Sequence, residues 1–150
     1  MSARIDAINA FAQRLQSVDQ TVKVITSVGN PVSEVDKKNR FLVDGAYRAF
    51  EVTCEGSSGV DRESAAAERA FSVVACGYFS YANDGSKEAA LQQLCGAIED
   101  EFDPIEGRTF AGQFSNSEPV QIEGPTAMTY AGILVYVVVV TCKIKDYPRY

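Results

Sequence analysis

The chain has 150 residues, carries 14 Lys and Arg against 20 Asp and Glu for a net charge of −6, and is 46% apolar. This length fits one domain with a sizeable core, and the composition is that of a globular protein, not of a disordered or collagen-like one. The acidic balance argues against non-specific nucleic-acid binding, which needs clustered Lys and Arg facing the phosphates.

The first element is predicted to be an amphipathic helix over residues 3–17, with Ser2 placed to cap its first turn. Its apolar residues recur at intervals of three and four: Ile5, Ile8, Phe11, Ala12 and Leu15. Polar residues interrupt this set, so the segment lacks the continuous apolar run of a signal peptide. Residues 21–27 are rich in β-branched side chains and precede a Gly-Asn-Pro turn signal, which predicts a strand.

Two long strands are predicted in the middle of the chain. A polar loop at 32–40 and a short strand at 41–43 lead into residues 47–55, and both this segment and 71–81 alternate apolar and polar residues. The intervening residues 56–70 contain Val60 as their only large apolar side chain, so we expect an arm that protrudes from the sheet.

The clearest helix is predicted from about Ser86 to Phe102. One face carries its large apolar residues, Leu91, Leu94, Ile98 and Phe102, together with Cys95. Asp84 and Ser86 are candidate caps, and Asp103 before Pro104 ends the element because a residue before proline disfavours the helical region. Burial of this apolar face requires the helix to lie on a sheet.

The last third is predicted to contain strands at 109–114 and 120–123, a polar turn at 115–117 and a break at Gly124-Pro125. A long final strand is predicted from about Met128 to Ile144. Both of its alternate sets of side chains are apolar, which is typical of a central strand covered on both faces. Helices can cover one face, and a neighbouring subunit is one candidate cover for the other.

The residues that most enzymes use are largely absent. The chain contains no histidine, which removes Ser-His-Asp and Cys-His pairs, and it has no nucleotide-binding or zinc-protease motif. Cys54, Cys76, Cys95 and Cys142 lie far apart in sequence and are predicted to be reduced core thiols, not zinc ligands. The acidic cluster Glu99, Asp100, Glu101 and Asp103 is interpreted as a solvated helix end. We therefore expect no enzymatic activity, catalytic residue, cofactor or metal.

The order of these elements resembles that of the tail terminator proteins of long-tailed bacteriophages, of the lambda type. The resemblance is carried by three segments: the N-terminal helix RIDAINAFAQRLQ, the helix ALQQLCGAIEDEF after the strand pair, and the closing segment TYAGILVYVVVVTCKI. It implies an α+β fold, with a mostly antiparallel twisted β-sheet and two main α-helices on one face, in a single domain over 1–150.

The resemblance also implies a function. Such proteins form a homohexameric ring that caps the tail tube, stops its polymerisation and provides the head-to-tail joining surface. The implied partners are further copies of the chain, the tail tube protein and a head-completion or neck protein, while DNA passes through the lumen without specific binding. The implied location is the head-proximal end of the virion tail, after assembly in the bacterial cytoplasm.

The longest apolar run, 131–142, is too short for a membrane span.

Two alternatives stay open. One is another phage neck or tail-completion protein. The other is a small ligand-binding module with a pocket between helices and sheet, lined by Tyr78, Phe79, Tyr81, Tyr130 and Tyr136. Candidate interface residues are chosen by their position alone, in the arm, in a loop at 113–118 or in the C-terminal tail. They are Arg62, Glu63, Glu68, Arg69, Phe114, Asn116, Tyr147 and Tyr150.

Overall fold

The computed structural model describes residues 3–26, 40–58, 69–82, 85–104, 109–110, 114–116, 118–130 and 132–146. Their elements in chain order are α1 (Ala3–Val18), β1 (Lys23–Ile25), β2 (Leu42–Val43), β3 (Ala46–Ser58), β4 (Arg69–Ser80), α2 (Ser86–Glu101), β5 (Thr109–Phe110), β6 (Phe114–Asn116), β7 (Gln121–Tyr130) and β8 (Ile133–Asp146). This is the predicted α+β fold, with a curled and mostly antiparallel sheet and two helices on one face.

Strand β8 is the central strand of the sheet. The strand order is β1-β3-β4-β8-β6-β5, with β2 added to the outer edge of β3 and β7 added to the edge of β8 that also carries β6. Among the described strands, β1 and β3 are the parallel pair and the other ladders are antiparallel. The predicted central position of the last strand is therefore confirmed.

The predicted bounds of that last strand are wrong. The chain reverses between Tyr130 and Ile133, which pair with each other, and the residues before the reversal form β7. The turn could not be recognised from the sequence because apolar residues stand on both sides of it. Gly132 has a φ of +78°, a conformation that glycine adopts readily.

At two further places the structure has a strand where the sequence predicted an interruption. Strand β7 runs through Gly124-Pro125, where the ladder shifts register between Glu123 and Thr126, so that a bulge replaces the predicted break. Strand β6 occupies Phe114–Asn116, at the place of the predicted polar turn.

Gly124 is required by its conformation at this bulge. Its φ is +97°, and a Cβ at this position would clash with the backbone oxygen of Val137. We expect Gly124→Ala to lower the free energy of unfolding by about 1–3 kcal/mol in denaturant titrations, because both the conformation and the contact are strained. Gly56→Ala is the matched strand control, since nothing lies within 4 Å of its added Cβ. Equal unfolding midpoints for the two variants would contradict this expectation.

The sheet carries a core on each face. On the helix side, α1 and α2 pack over the even-numbered residues of β8, including Val138 and Val140, which are fully buried. On the opposite side, Phe41 and Tyr47 help to bury Val135 and Val137. Part of the second face is therefore covered by the chain itself. A neighbouring subunit was the candidate cover predicted for this face.

Both helices lie close to their predicted bounds, but the predicted cap of α2 is wrong. Its N-cap residue is Gly85, with a φ of +78° and no side-chain capping hydrogen bond, so Ser86 is the first helical residue instead of the cap. The acidic C-terminal end of α2 is tied to α1, because Arg14 Nε lies 3.2 Å from Glu101 Oε1. Arg14 also lies over the Phe102 ring, 4.6 Å from its centroid.

All four cysteines are free thiols; Cys95 and Cys142 are buried, whereas Cys54 and Cys76 are partly exposed. Burial raises the pKa of the Cys142 thiol to about 12. Below pH 9 both folded and unfolded states hold this proton, whereas at higher pH only the unfolded chain releases it. We therefore expect the free energy of unfolding to fall as the pH rises above about 9.

Cys142→Val replaces this thiol with an apolar, β-branched side chain in a strand rich in valine. The variant should lose less stability than the parent chain between neutral and alkaline pH in denaturant titrations. Parallel stability curves for the two proteins over this range would show that Cys142 makes no such contribution.

Candidate assembly interface

Most of the candidate interface residues chosen from sequence lie outside the described residues. This holds for Arg62, Glu63, Glu68, Tyr147 and Tyr150, so contacts through the arm and the tail stay predictions. Arg69 lies at the start of β4, where its backbone pairs with Asp146. The ladder between β3 and β4 reaches Ser58 and Ala70, and β4 begins at Arg69, so both ends of the predicted arm, 56–58 and 69–70, are strand instead.

The other two candidates point into the subunit. The register of β6 against β8 places Phe114 and Asn116 on the helix side, where they are 1% and 5% exposed. The Asn116 amide donates hydrogen bonds to the backbone oxygens of Phe102 and Glu118, at 2.5 and 3.1 Å. Both side chains are buried within the subunit, so neither is included in the candidate assembly interface.

The end of the β7–β8 hairpin exposes large apolar side chains. Met128, Ile133 and Leu134 are 51%, 42% and 46% exposed, and we call these three residues the hairpin tip. Val135 and Tyr136, the next residues along β8, are 0% and 6% exposed, so both cores end at this point. The sequence predicted β-structure here but not a tip, because it placed no turn at Gly132.

The hairpin tip is apolar on both faces. Met128 pairs with Val135, so it shares the face opposite the helices with Ile133. Leu134 pairs with Thr129 on the helix side, beyond the reach of the helical cover. In the described part of the chain the other large exposed apolar residues, Ile5 and Tyr81, lie on α1 and just after β4. The tip is therefore a local concentration of apolar surface.

The outer edge of β7 lies beside this tip. Among the described strands β7 pairs with β8 alone, so its second edge presents unpaired backbone groups. The residues that follow the bulge, Thr126–Tyr130, form a regular ladder with β8 and are mostly exposed. An exposed regular strand edge can pair with a strand of another chain. The pairing edge of β7 ends at Pro125, because proline has no backbone N–H to donate.

The described residues contain no group of three or more side chains suited to hold a metal ion, and Glu101 of the acidic cluster is paired with Arg14. The helices in this part of the chain are each too short or too polar to cross a membrane.

The structure also separates the five aromatic residues that were predicted to line a pocket. Tyr78 stacks on Tyr130 at a centroid distance of 4.3 Å on the face away from the helices. Phe79 and Tyr136 are buried in the helix-side core, where the Tyr136 ring lies 4.9 Å from Tyr81. The pocket predicted from these residues is therefore not formed as a single site.

Comparison with known protein families and with curated proteins finds no match for this chain.

Proposed function

We propose that this chain is a virion structural subunit that assembles with further copies of itself, in the manner of the phage tail terminators that its sequence resembles. The observation that carries this proposal is the hairpin tip, whose apolar side chains lie exposed on both faces of the sheet. A local concentration of exposed apolar side chains in an otherwise acidic chain is typical of an interaction site.

The unpaired edge of β7 indicates how a second copy docks. A strand or loop of the neighbour that pairs with residues 126–130 gains main-chain hydrogen bonds, while Met128, Ile133 and Leu134 become buried against its surface. A contact between different surfaces of two copies is heterologous, and repetition of such a contact closes a ring when the rotation permits.

In this proposal the ring, a hexamer by resemblance, caps the tail tube at its head-proximal end and stops tube polymerisation. Its other face joins the head-completion or neck protein. The net charge of −6 suits a lumen through which DNA passes without being held, because like charges repel. The same tip would equally serve another neck or tail-completion protein that works as a ring.

Mass photometry and negative-stain microscopy of the purified protein test assembly. We expect rings at micromolar concentration, alone or in the presence of tail tube protein. A strict monomer under both conditions contradicts the proposal. Addition of the protein to polymerising tube protein then separates a terminator, which shortens the tubes and caps their ends, from another neck protein, which leaves tube length unchanged.

A further inference from the structure

A cavity of about 350 Å³ lies on the helix side of the sheet, away from the hairpin tip. It is half open to solvent and is bordered by the C-terminal end of α1, by one face of α2, and by the start of β3 beside the end of β4. This volume falls at the lower end of the roughly 300–1,000 Å³ that small-molecule sites occupy. The cavity therefore has room for a small ligand.

One part of the cavity is apolar. Val22, Phe79 and Leu91 form its buried base, with exposures of 4%, 5% and 6%. Leu94 and Ala97 continue this lining along α2, away from the start of the helix. Burial of an aliphatic chain against these side chains is favourable by roughly 0.8 kcal/mol for each methylene group.

The other end of the cavity carries hydrogen-bond donors. Arg48 near the start of β3 pairs with Phe79 of β4, so its side chain lies on the helix side, and Lys87 is the second residue of α2. Ser80 pairs with Val135, so its side chain belongs to the opposite face, where its Oγ accepts a hydrogen bond from the Tyr47 backbone N–H at 2.8 Å. Two cations thus line the cavity where the two strands and the helix meet.

The charges of the lining sum to a positive value. Asp19 accepts hydrogen bonds from Thr21 N and Thr21 Oγ1 at 2.9 and 2.6 Å, and these bonds and the charge of Arg48 lower its pKa. With Arg48 and Lys87 as the cations and Asp19 as the carboxylate, the lining has a net charge of +1 in a chain whose net charge is −6. This local charge favours a monoanion.

The α1 side of the cavity is held in place before any ligand arrives. Gln16 Nε2 donates to the Val22 backbone oxygen at 2.6 Å, and Gln16 Oε1 accepts from Val24 N at 3.1 Å. These bonds fix the segment that presents Asp19 and Val22 to the cavity. A preformed wall lowers the entropy cost of binding.

We propose that this cavity binds a small amphipathic carboxylate of medium chain length. The carboxylate accepts hydrogen bonds from Arg48 and Lys87, and the aliphatic chain lies along α2 toward Ala97, a span of roughly 15 Å at 1.5 Å per helical residue. The site is separate from the hairpin tip, and the proposal does not depend on ring assembly.

Titration with octanoate below its micelle concentration, followed by amide chemical shifts and by thermal unfolding, tests this site. We expect shifts confined to α2, the start of β3, the end of β4 and residues 16–24, and a rise in the unfolding temperature with ligand excess. Acetate lacks the chain and octanol lacks the charge, so each should bind at least about tenfold more weakly.

Arg48→Gln with Lys87→Gln should weaken octanoate binding by at least about tenfold. Lys23→Gln with Lys143→Gln is the matched control, because it makes the same change in net charge at exposed residues outside the cavity. Absence of localised shifts, equal binding of octanol, or an equal loss in both double variants overturns the proposal.

Discussion

Leu134→Asp is expected to leave a folded subunit that no longer assembles. Leu134 is 46% exposed, so a charge at this position costs the isolated subunit about 0.5 kcal/mol or less. In an assembled ring the same carboxylate would be buried in an apolar contact without a partner, which is strongly unfavourable. Loss of a central contact of this kind typically costs 2 kcal/mol or more, so we expect about 30-fold weaker association or worse by sedimentation velocity.

Ile5→Asp is the matched control for this variant. Ile5 is 53% exposed on α1, and the substitution removes an aliphatic side chain of the same size and adds the same charge. It should assemble like the parent chain, and both variants should keep the parent circular dichroism spectrum. Parent-like assembly of Leu134→Asp, or equal losses in the two variants, would remove the hairpin tip from the interface.

Phe102→Ala is expected to destabilise the fold by about 3–5 kcal/mol, the usual cost of truncating a buried phenylalanine. Phe102 is fully buried, and its ring lies 5.0 Å from that of Phe11 and under the guanidinium of Arg14. Its backbone oxygen accepts the amide of Asn116. The truncation therefore leaves a cavity where α1, α2 and β6 meet.

Denaturant titration of Phe102→Ala and Phe102→Leu measures this effect. The leucine variant fills much of the cavity and should lose clearly less stability than the alanine variant. A loss below about 1 kcal/mol for Phe102→Ala would show that the site collapses around the missing ring, contrary to the close packing described above.

The helices could be predicted from sequence because their apolar residues follow the helical period closely. The hairpin was harder, because a turn is recognised by Asn, Asp, Gly or Pro between polar-flanked strands, and here a single glycine follows Ala131 inside an apolar run. The segment was therefore interpreted as one strand. The glycine at 132 was the available signal for the tip, but apolar residues on both sides of it concealed the change of direction.

The two candidate sites depend on tertiary structure in different ways. The hairpin tip is formed by neighbours in sequence, but the exposure of Leu134 beside buried Tyr136 depends on where the helical cover ends. The polar end of the cavity brings together Arg48 and Lys87 through the β3–β4 register and the start of α2. Sequence spacing contains no sign of that register, so the cavity could not be predicted.

Hydrogen exchange of the β7 amides at increasing protein concentration tests most directly whether this hairpin is the assembly surface. We expect the outward-facing amides of residues 126–130 to exchange more slowly as rings form, while exposed amides of α1 near Ile5 keep their rate. Assembly without any slowing along β7 would contradict the account and place the interface elsewhere.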